Sequence, residues 1–346
     1  MSRTPARMPA GTVVTPPAKA ARAEAASMRT ERIVELVQRQ GALAVLVLVI
    51  VVGVVTWDSF RTFDNLGTVL ISTAPPALIA LGMTFVIISG GIDLSVGSLY
   101  VLGGVLAAWA SQFGTWAAFA LPLAVCGLFG LAQGLIIAYA RLAPFIVTLA
   151  GLLGARGLML ALSDEGADTY LVKTDSFKHF GTGELGGIGY PVYLVVVLFA
   201  AGMLLLYRSR FGQSVYAIGG SEDAARLMGV KIRGTQVRVY VLSGLLAGLA
   251  GAINAARLGS GVTVLGTGME LDAIAAVVVG GTLLTGGAGT LGGTIAGVLL
   301  LQVIQNIINQ IGTVTSAWQT VISGAFIALV VVAQTYLARL RRVASG

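Results

Sequence analysis

The sequence predicts an all-α, polytopic membrane helix bundle of about ten transmembrane helices, with the N and C termini cytoplasmic. Three observations carry the prediction. Of 346 residues, 56% are hydrophobic and 11% charged, against roughly 45–50% and 25% in a soluble domain. Gly, Pro and charge divide the apolar runs into segments near the ~20 residues that a bilayer-crossing helix needs. The basic residues then fall in alternate connections, as the positive-inside rule requires.

The segments lie near 41–57, 66–89, 94–112, 116–139, 143–162, 190–207, 235–256, 268–285, 290–311 and 316–337. An even count puts both termini on one side. With that side inside, cytoplasmic segments hold 17 of the 22 basic residues; the external loops hold four, Arg61, Lys173, Lys178 and Arg257, against nine acids. The net charge of +7 is thus a property of basic cytoplasmic loops facing a lipid bilayer, and no nucleic-acid partner is expected. Arg156 falls inside the fifth segment, either bonding an acid or backbone carbonyls within the bundle or snorkelling outward.

Residues 1–40 are rich in Ala, Pro and Arg and show no small-residue cleavage site after an apolar core. They read as a retained, largely disordered cytoplasmic tail ahead of a transmembrane domain over 41–338, with a second short tail at 339–346. Within the domain, the run from Ala80 to Trp109 is interrupted by Ser89-Gly90-Gly91-Ile92-Asp93-Leu94-Ser95. Unwound backbone near membrane depth persists only where protein buries it or a polar cavity wets it, so the break points to a conduit. Asp93 either faces that conduit or caps the third segment, accepting from the amide of Ser95 or Val96.

The longest external loop, 163–189, is acidic and reads as a connector or as a surface for a soluble partner. The cytoplasmic loop 208–234 contains a short amphipathic helix, capped by Ser221 and opened by Glu222 and Asp223. Its apolar side must meet either the membrane surface or a groove of another protein. Gly130-x3-Gly134, Gly244-x3-Gly248 and Gly293-x3-Gly297 mark close helix packing. Glu270 and Asp272 open the eighth segment, where carboxylates suit the helix dipole.

A second break, Thr285-Gly286-Gly287-Ala288-Gly289-Thr290, echoes the first after a shift of 196 residues: Ser89, Gly90 and Gly91 then face Thr285, Gly286 and Gly287. Paired breaks in two halves point to a translocation site. The candidate path residues are Ser89, Gly90, Gly91, Asp93, Ser95, Thr285, Gly286 and Gly287, with Asn254 and Asn306 from the polar groups inside segments. Those groups, which also include Thr84, Gln133, Gln302, Gln305 and Asn309, either line a path or join helix to helix.

No catalytic set is visible. The chain has one cysteine, Cys126, and one histidine, His179, so no metal site or nucleophilic dyad is expected from them. Residues 287–292 fit G-x-G-x-x-G, but an apolar span precedes them where a nucleotide fold needs a strand, and there is no G-x4-G-K-[ST]. No cofactor is expected, and any ATPase must be a separate chain.

Four blocks resemble permease subunits of bacterial ATP-binding-cassette importers for monosaccharides, of the ribose, xylose and arabinose type. They are ALGMTFVIISGGIDLSVGS (80–98), PFIVTLAGLLGARGL (144–158), YAIGGSEDAARLMGV (216–230) and ELDAIAAVVVGGTLLTGGAGTLGGT (270–294). The third is similar to the segment that couples such permeases to their ATPase, with Glu222, Ala224, Ala225 and Gly229 at the E-A-A and glycine positions, behind Ser221. Ala288 departs from the basic residue of many relatives. The resemblance implies a second permease copy, two ATPase subunits and an extracytoplasmic sugar-binding protein, with no chemistry in the permease itself. Importers of branched-chain amino acids or nucleosides share this architecture. An ion-coupled carrier is the reading from another class, and the shortage of acids within the segments stands against it.

Overall fold

Helix α10, Ile232–Leu258, forms the centre of the bundle, packed against the helices Phe63–Ile88, Val96–Ala110 and Thr115–Ala140. The computed structural model describes residues 42–311 and, beyond them, Trp318, Val321, Gly324, Ala325 and Ala328. The expected tails over 1–40 and 339–346, and apart from those five positions the tenth expected span, lie outside the described residues.

The helices in order are α1 Ala42–Thr56, α2 Phe63–Ile88, α3 Val96–Ala110, α4 Thr115–Ala140, α5 Pro144–Leu162 and α6 Asp175–Thr182. There follow α7 Tyr190–Arg208, α8 Arg210–Gly220, α9 Glu222–Leu227, α10, α11 Met269–Val279 and α12 Leu291–Ile311. Seven of them, α2 to α5, α7, α10 and α12, are long and apolar enough to cross a membrane, α3 together with the 3-10 turn that carries it on to Phe113, so this is an all-α, polytopic membrane protein. Its only strands among the described residues are β1 Glu184–Leu185 and β2 Ile188–Gly189, a small antiparallel hairpin.

Two expected spans come out short. The first is α1, with 15 helical residues over 42–56. The eighth is corrected from 268–285 to α11, which stops after 11 residues at Val279. Gly281 takes a left-handed φ of +91°, a conformation that ends a helix and that glycine adopts without steric cost.

Helices α2, α3 and α10 are buried nearly all round, whereas α5 and α7 expose most of their apolar surface, as a helix bordering lipid must. Glycine makes the central packing possible. A methyl on Gly130 would overlap the Tyr240 carbonyl, one on Gly244 the Cys126 carbonyl, and one on Gly251 the Tyr100 carbonyl. The first two belong to the expected small-residue motifs, and all three let α10 lie backbone to backbone against α4 and α3. The third motif works likewise between α12 and α11, where methyls on Gly293 and Gly297 would overlap the carbonyls of Gly280 and Ala276.

The 163–189 segment is folded rather than a bare connector. Phe177 of α6 is buried among Ala107, Ala118, Ala252 and Ala256, and its ring meets Phe119 edge-on at 5.0 Å. Backbone bonds from Val172 N to Gly259 O and from Gly261 N to Tyr170 O, both 2.8 Å, fasten it to the end of α10. Arg156 settles on a backbone partner, donating from Nη1 to Leu265 O at 3.4 Å.

Candidate functional site: the two breaks and the α8–α9 segment

The two glycine breaks, which sit 196 residues apart in sequence, touch. Gly287 N donates to Ile88 O at 2.9 Å, closing the end of α2 onto the second break. Gly90 and Gly286 share the left-handed region, with φ of +85° and +84°, and each amide donates to the carbonyl three residues back, Ile87 and Leu283, at 2.9 Å. The shift seen in the sequence is therefore a repeated turn. A methyl on Gly286 would stand 2.9 Å from Gly90 Cα, a separation that no folded backbone accommodates without moving.

A third glycine pair completes the junction. Gly219 and Gly220 end α8, and a methyl on Gly219 would overlap Ile88 O, with Gly287 N 2.5 Å away. Two tyrosines hold α7 and α8 to the same break: Tyr216 Oη donates to Gly289 O at 2.7 Å, and Leu291 N donates to Tyr207 Oη at 2.9 Å. Burial, and secondarily Tyr207, push the Tyr216 hydroxyl up to about 12, so it stays a donor throughout the neutral range. None of Tyr207, Tyr216, Gly219 and Tyr240 stood out as a site residue in the sequence. The one available signal was the Gly-Gly pair directly ahead of Ser221.

Helix α9 follows without a gap. Ser221 caps it as expected, its Oγ accepting from Ala224 N at 3.3 Å, and Arg226 bonds Glu222 at 2.7 Å one turn along. Gly229 ends it with φ +77° while Val230 N reaches back to Ala225 O. Ala225 is buried between Ile218 and Ile232. Leu227 and Met228, by contrast, are 90% and 71% exposed, an apolar pair with nothing covering it among the described residues.

Between α9 and the first break lies a cavity of about 880 Å³, bordered by Ser89, Gly90, Gly91, Thr285, Ser221 and Glu222. Tyr240 of α10 closes its floor; its hydroxyl is buried and without a hydrogen-bond partner. The structure therefore gathers Ser89, Gly90, Gly91, Thr285, Gly286 and Gly287 with Ser221 and Glu222 in one place.

Asp93 and Ser95 sit behind that surface. Asp93 is 1% exposed; its Oδ1 accepts from Ser95 N at 3.0 Å and Ser95 Oγ at 2.6 Å, and its Oδ2 accepts from Ser243 Oγ of α10 at 2.7 Å. Gln133 of α4 donates to Ser95 Oγ at 3.0 Å, and Thr148 of α5 to Ile92 O at 3.1 Å. Four helices are tied at this one turn. The amide bond to Ser95 is as expected, but α3 starts at Val96 with Ser95 in the capping position, so Asp93 organises the turn before the helix.

Asn254 and Asn306 are not brought to the junction. Asn254 lies about 21 Å along α10 from Tyr240, at 1.5 Å per residue. Asn306 instead donates to Asn65 Oδ1 of α2 at 2.9 Å, joining two helices near the opposite end of the bundle. Thr84 and Thr294 make a similar link at 2.8 Å. Residues 287–290 belong to the turn ahead of α12 and 291–292 open that helix, with no strand beside them.

Residues 65–331 match the family model described as the permease component of the branched-chain amino acid transport system. The chain belongs to this family. The permease is 40% identical over 300 residues to the ribose import permease protein RbsC of Escherichia coli strain K12, covering 86% of this chain and 93% of that one. To the RbsC of Bacillus subtilis strain 168 it is 41% identical over 291 residues, 84% and 90% of the two chains. To the fructose import permease protein FruG of Bifidobacterium longum strain NCC 2705 it is 32% identical over 312 residues, 87% and 91%.

Proposed function

We propose that this chain is the membrane subunit of an ATP-driven importer of the bacterial cytoplasmic membrane, forming the path for a monosaccharide handed over by an extracytoplasmic binding protein. Its relatives are named for ribose and fructose, which favours a sugar over the amino acids of the family description. Ten spans with both termini inside put the α9 end in the cytoplasm and α6 outside. Two copies form the path, and two ATPase subunits dock beneath them.

The observation that carries the mechanism is the direct contact between the α8–α9 segment and both breaks. Exposed Leu227 and Met228, beside the Glu222–Arg226 pair, offer an apolar knob with a polar rim, suited to a groove on a partner. The ATPase closes on binding ATP and moves α9. Gly219 has no side chain to cushion that movement, so it passes to Ile88 and Gly287 through backbone contact. Each break then exchanges an inward-open for an outward-open arrangement, the two-state element that alternating access requires.

Reconstitution tests this reading. Proteoliposomes holding the permease and its ATPase, with binding protein outside and ATP inside the compartment that faces the ATPase, accumulate labelled sugar; omitting any one component abolishes accumulation. Uphill uptake by the permease alone on an ion gradient refutes the proposal.

A further inference from the structure

A second cavity lies between α2, α11 and α12, away from the glycine junction. Its volume is about 160 Å³, against ~30 Å³ per water in the liquid, so it has room for one small solute in place of several waters. Three polar side chains line it from the helices, Asp272 from α11 and Gln302 and Gln305 from α12, with the exposed Thr267 as a fourth from the loop ahead of α11. The two glutamines are three residues apart and share one helix face. All three are partly buried, and none has a hydrogen-bond or ion-pair partner among the described residues.

Gln133, Asn306 and Gln310, amides elsewhere in the spans, are by contrast each bonded to another side chain. Their polar atoms stay open to the cavity, so a ligand entering it can take over the hydrogen bonds that water otherwise makes there.

The lining specifies the ligand's chemistry. A carboxylate only accepts, and an amide both donates and accepts; together they match vicinal hydroxyls, which do both. The apolar part of the lining, with Pro76, Ala276, Val298 and Leu301, suits the C–H face of a sugar ring. Among the described residues no Lys, Arg or His lines the cavity, so the carboxylate of an amino acid would find no cation among them.

We infer that this cavity holds a monosaccharide inside the permease, hydrogen-bonded by Asp272, Gln302 and Gln305. The inference rests on the import function proposed above and adds a contact site to it. Helices α11 and α12 are the two that flank the second break, so a sugar held between them bears directly on the element that must rearrange for transport. The permease then discriminates among sugars itself, after the binding protein has done so.

The test uses the full transporter in proteoliposomes with saturating loaded binding protein. Ribose, xylose and fructose are first screened on the wild type, and the imported sugar is then compared with its deoxy analogues. The variants are Gln302→Met and Gln305→Met, near in volume but apolar, and Asp272→Asn, near-isosteric. Uptake of the parent sugar is expected to fall about ten-fold in the glutamine variants, the effect of one ordinary hydrogen bond, while hydrolysis stimulated by the binding protein stays within about two-fold. The loss is expected to shrink for the analogue that lacks the hydroxyl the residue contacts, as a double-mutant cycle requires. Wild-type uptake in all three variants, or an equal loss for parent and every deoxy analogue, overturns the site. A wild type that imports no monosaccharide removes the import function and the site together, an outcome distinct from indifferent variants.

Discussion

Replacing Asp93 by leucine takes the acceptor away from three donors at once: the Ser95 amide, the Ser95 hydroxyl and the Ser243 hydroxyl. The Ser95 hydroxyl keeps Gln133 as a partner, and Ser243 can turn to a carbonyl of its own helix. The Ser95 amide has no such recourse. A stranded buried donor costs about 1–3 kcal/mol, and the turn also loses a charge near the start of α3, worth about 0.3–1 kcal/mol. With part of the Ser243 bond lost, Asp93→Leu should destabilise by about 2–5 kcal/mol. Asp93→Asn keeps Oδ1 for Ser95 and presents an NH2 to the Ser243 oxygen, which can accept. Only the charge assistance goes, about 1 kcal/mol. Reversible unfolding of the purified permease in mixed micelles separates the two, and uptake in vesicles should follow the same order, with asparagine mild and leucine severe. Equal destabilisation by both substitutions would refute the hydrogen-bond account. A full stability gap accompanied by equal loss of uptake would assign the charge a part in transport.

The junction and the α9 segment yield three more predictions. Gly219→Ala should lower uptake at least ten-fold by forcing Ile88 and Gly287 apart, whereas Gly220→Ala, which meets open space, should leave it near wild type; a reversed order in a transport assay would remove the backbone contact from the mechanism. Glu222→Arg costs less than about 1 kcal/mol of stability, since an exposed ion pair contributes little, yet should abolish uptake by spoiling the docking surface, which co-purification with the ATPase will register. Tyr216→Phe should leave the ATPase bound but cut the sugar moved per ATP. Tyr193→Phe removes a similar hydroxyl bond, to Leu185 O on the opposite end, and should not; a common drop in both variants would reduce Tyr216 to a packing residue.

Much of the architecture was legible because length and apolarity are local. Helices α2 to α5, α7, α10 and α12 begin and end within a few residues of the expected segments. Helix α11 was overextended because Gly280 to Leu284 continue its apolar composition, and composition does not register the left-handed turn at Gly281. The breaks themselves were visible as glycine runs, and even their correspondence was, since Gly90 and Gly286 adopt the same backbone. What they touch was not. Nothing in residues 216–220 announces Gly289 or Gly287 as a neighbour, because such contacts join residues some 70 positions apart, Tyr216 with Gly289 being separated by 73. Asn306 shows the converse: its position in a span left helix joining and path lining equally open, and the bond to Asn65 that joins two helices lies 241 residues away in sequence.

The seam between α4, α3 and α10 also holds the chain's only thiol. Cys126 is fully buried, its Sγ directed at Leu99 O, with the glycines of α10 closed over it. Maleimide reagents and spin labels therefore have no native target on the folded protein. Single cysteines placed at Leu227, at the lip of either cavity or on α6 can be labelled in the otherwise unaltered chain, so distances across a transport cycle are measurable without first engineering a cysteine-free background.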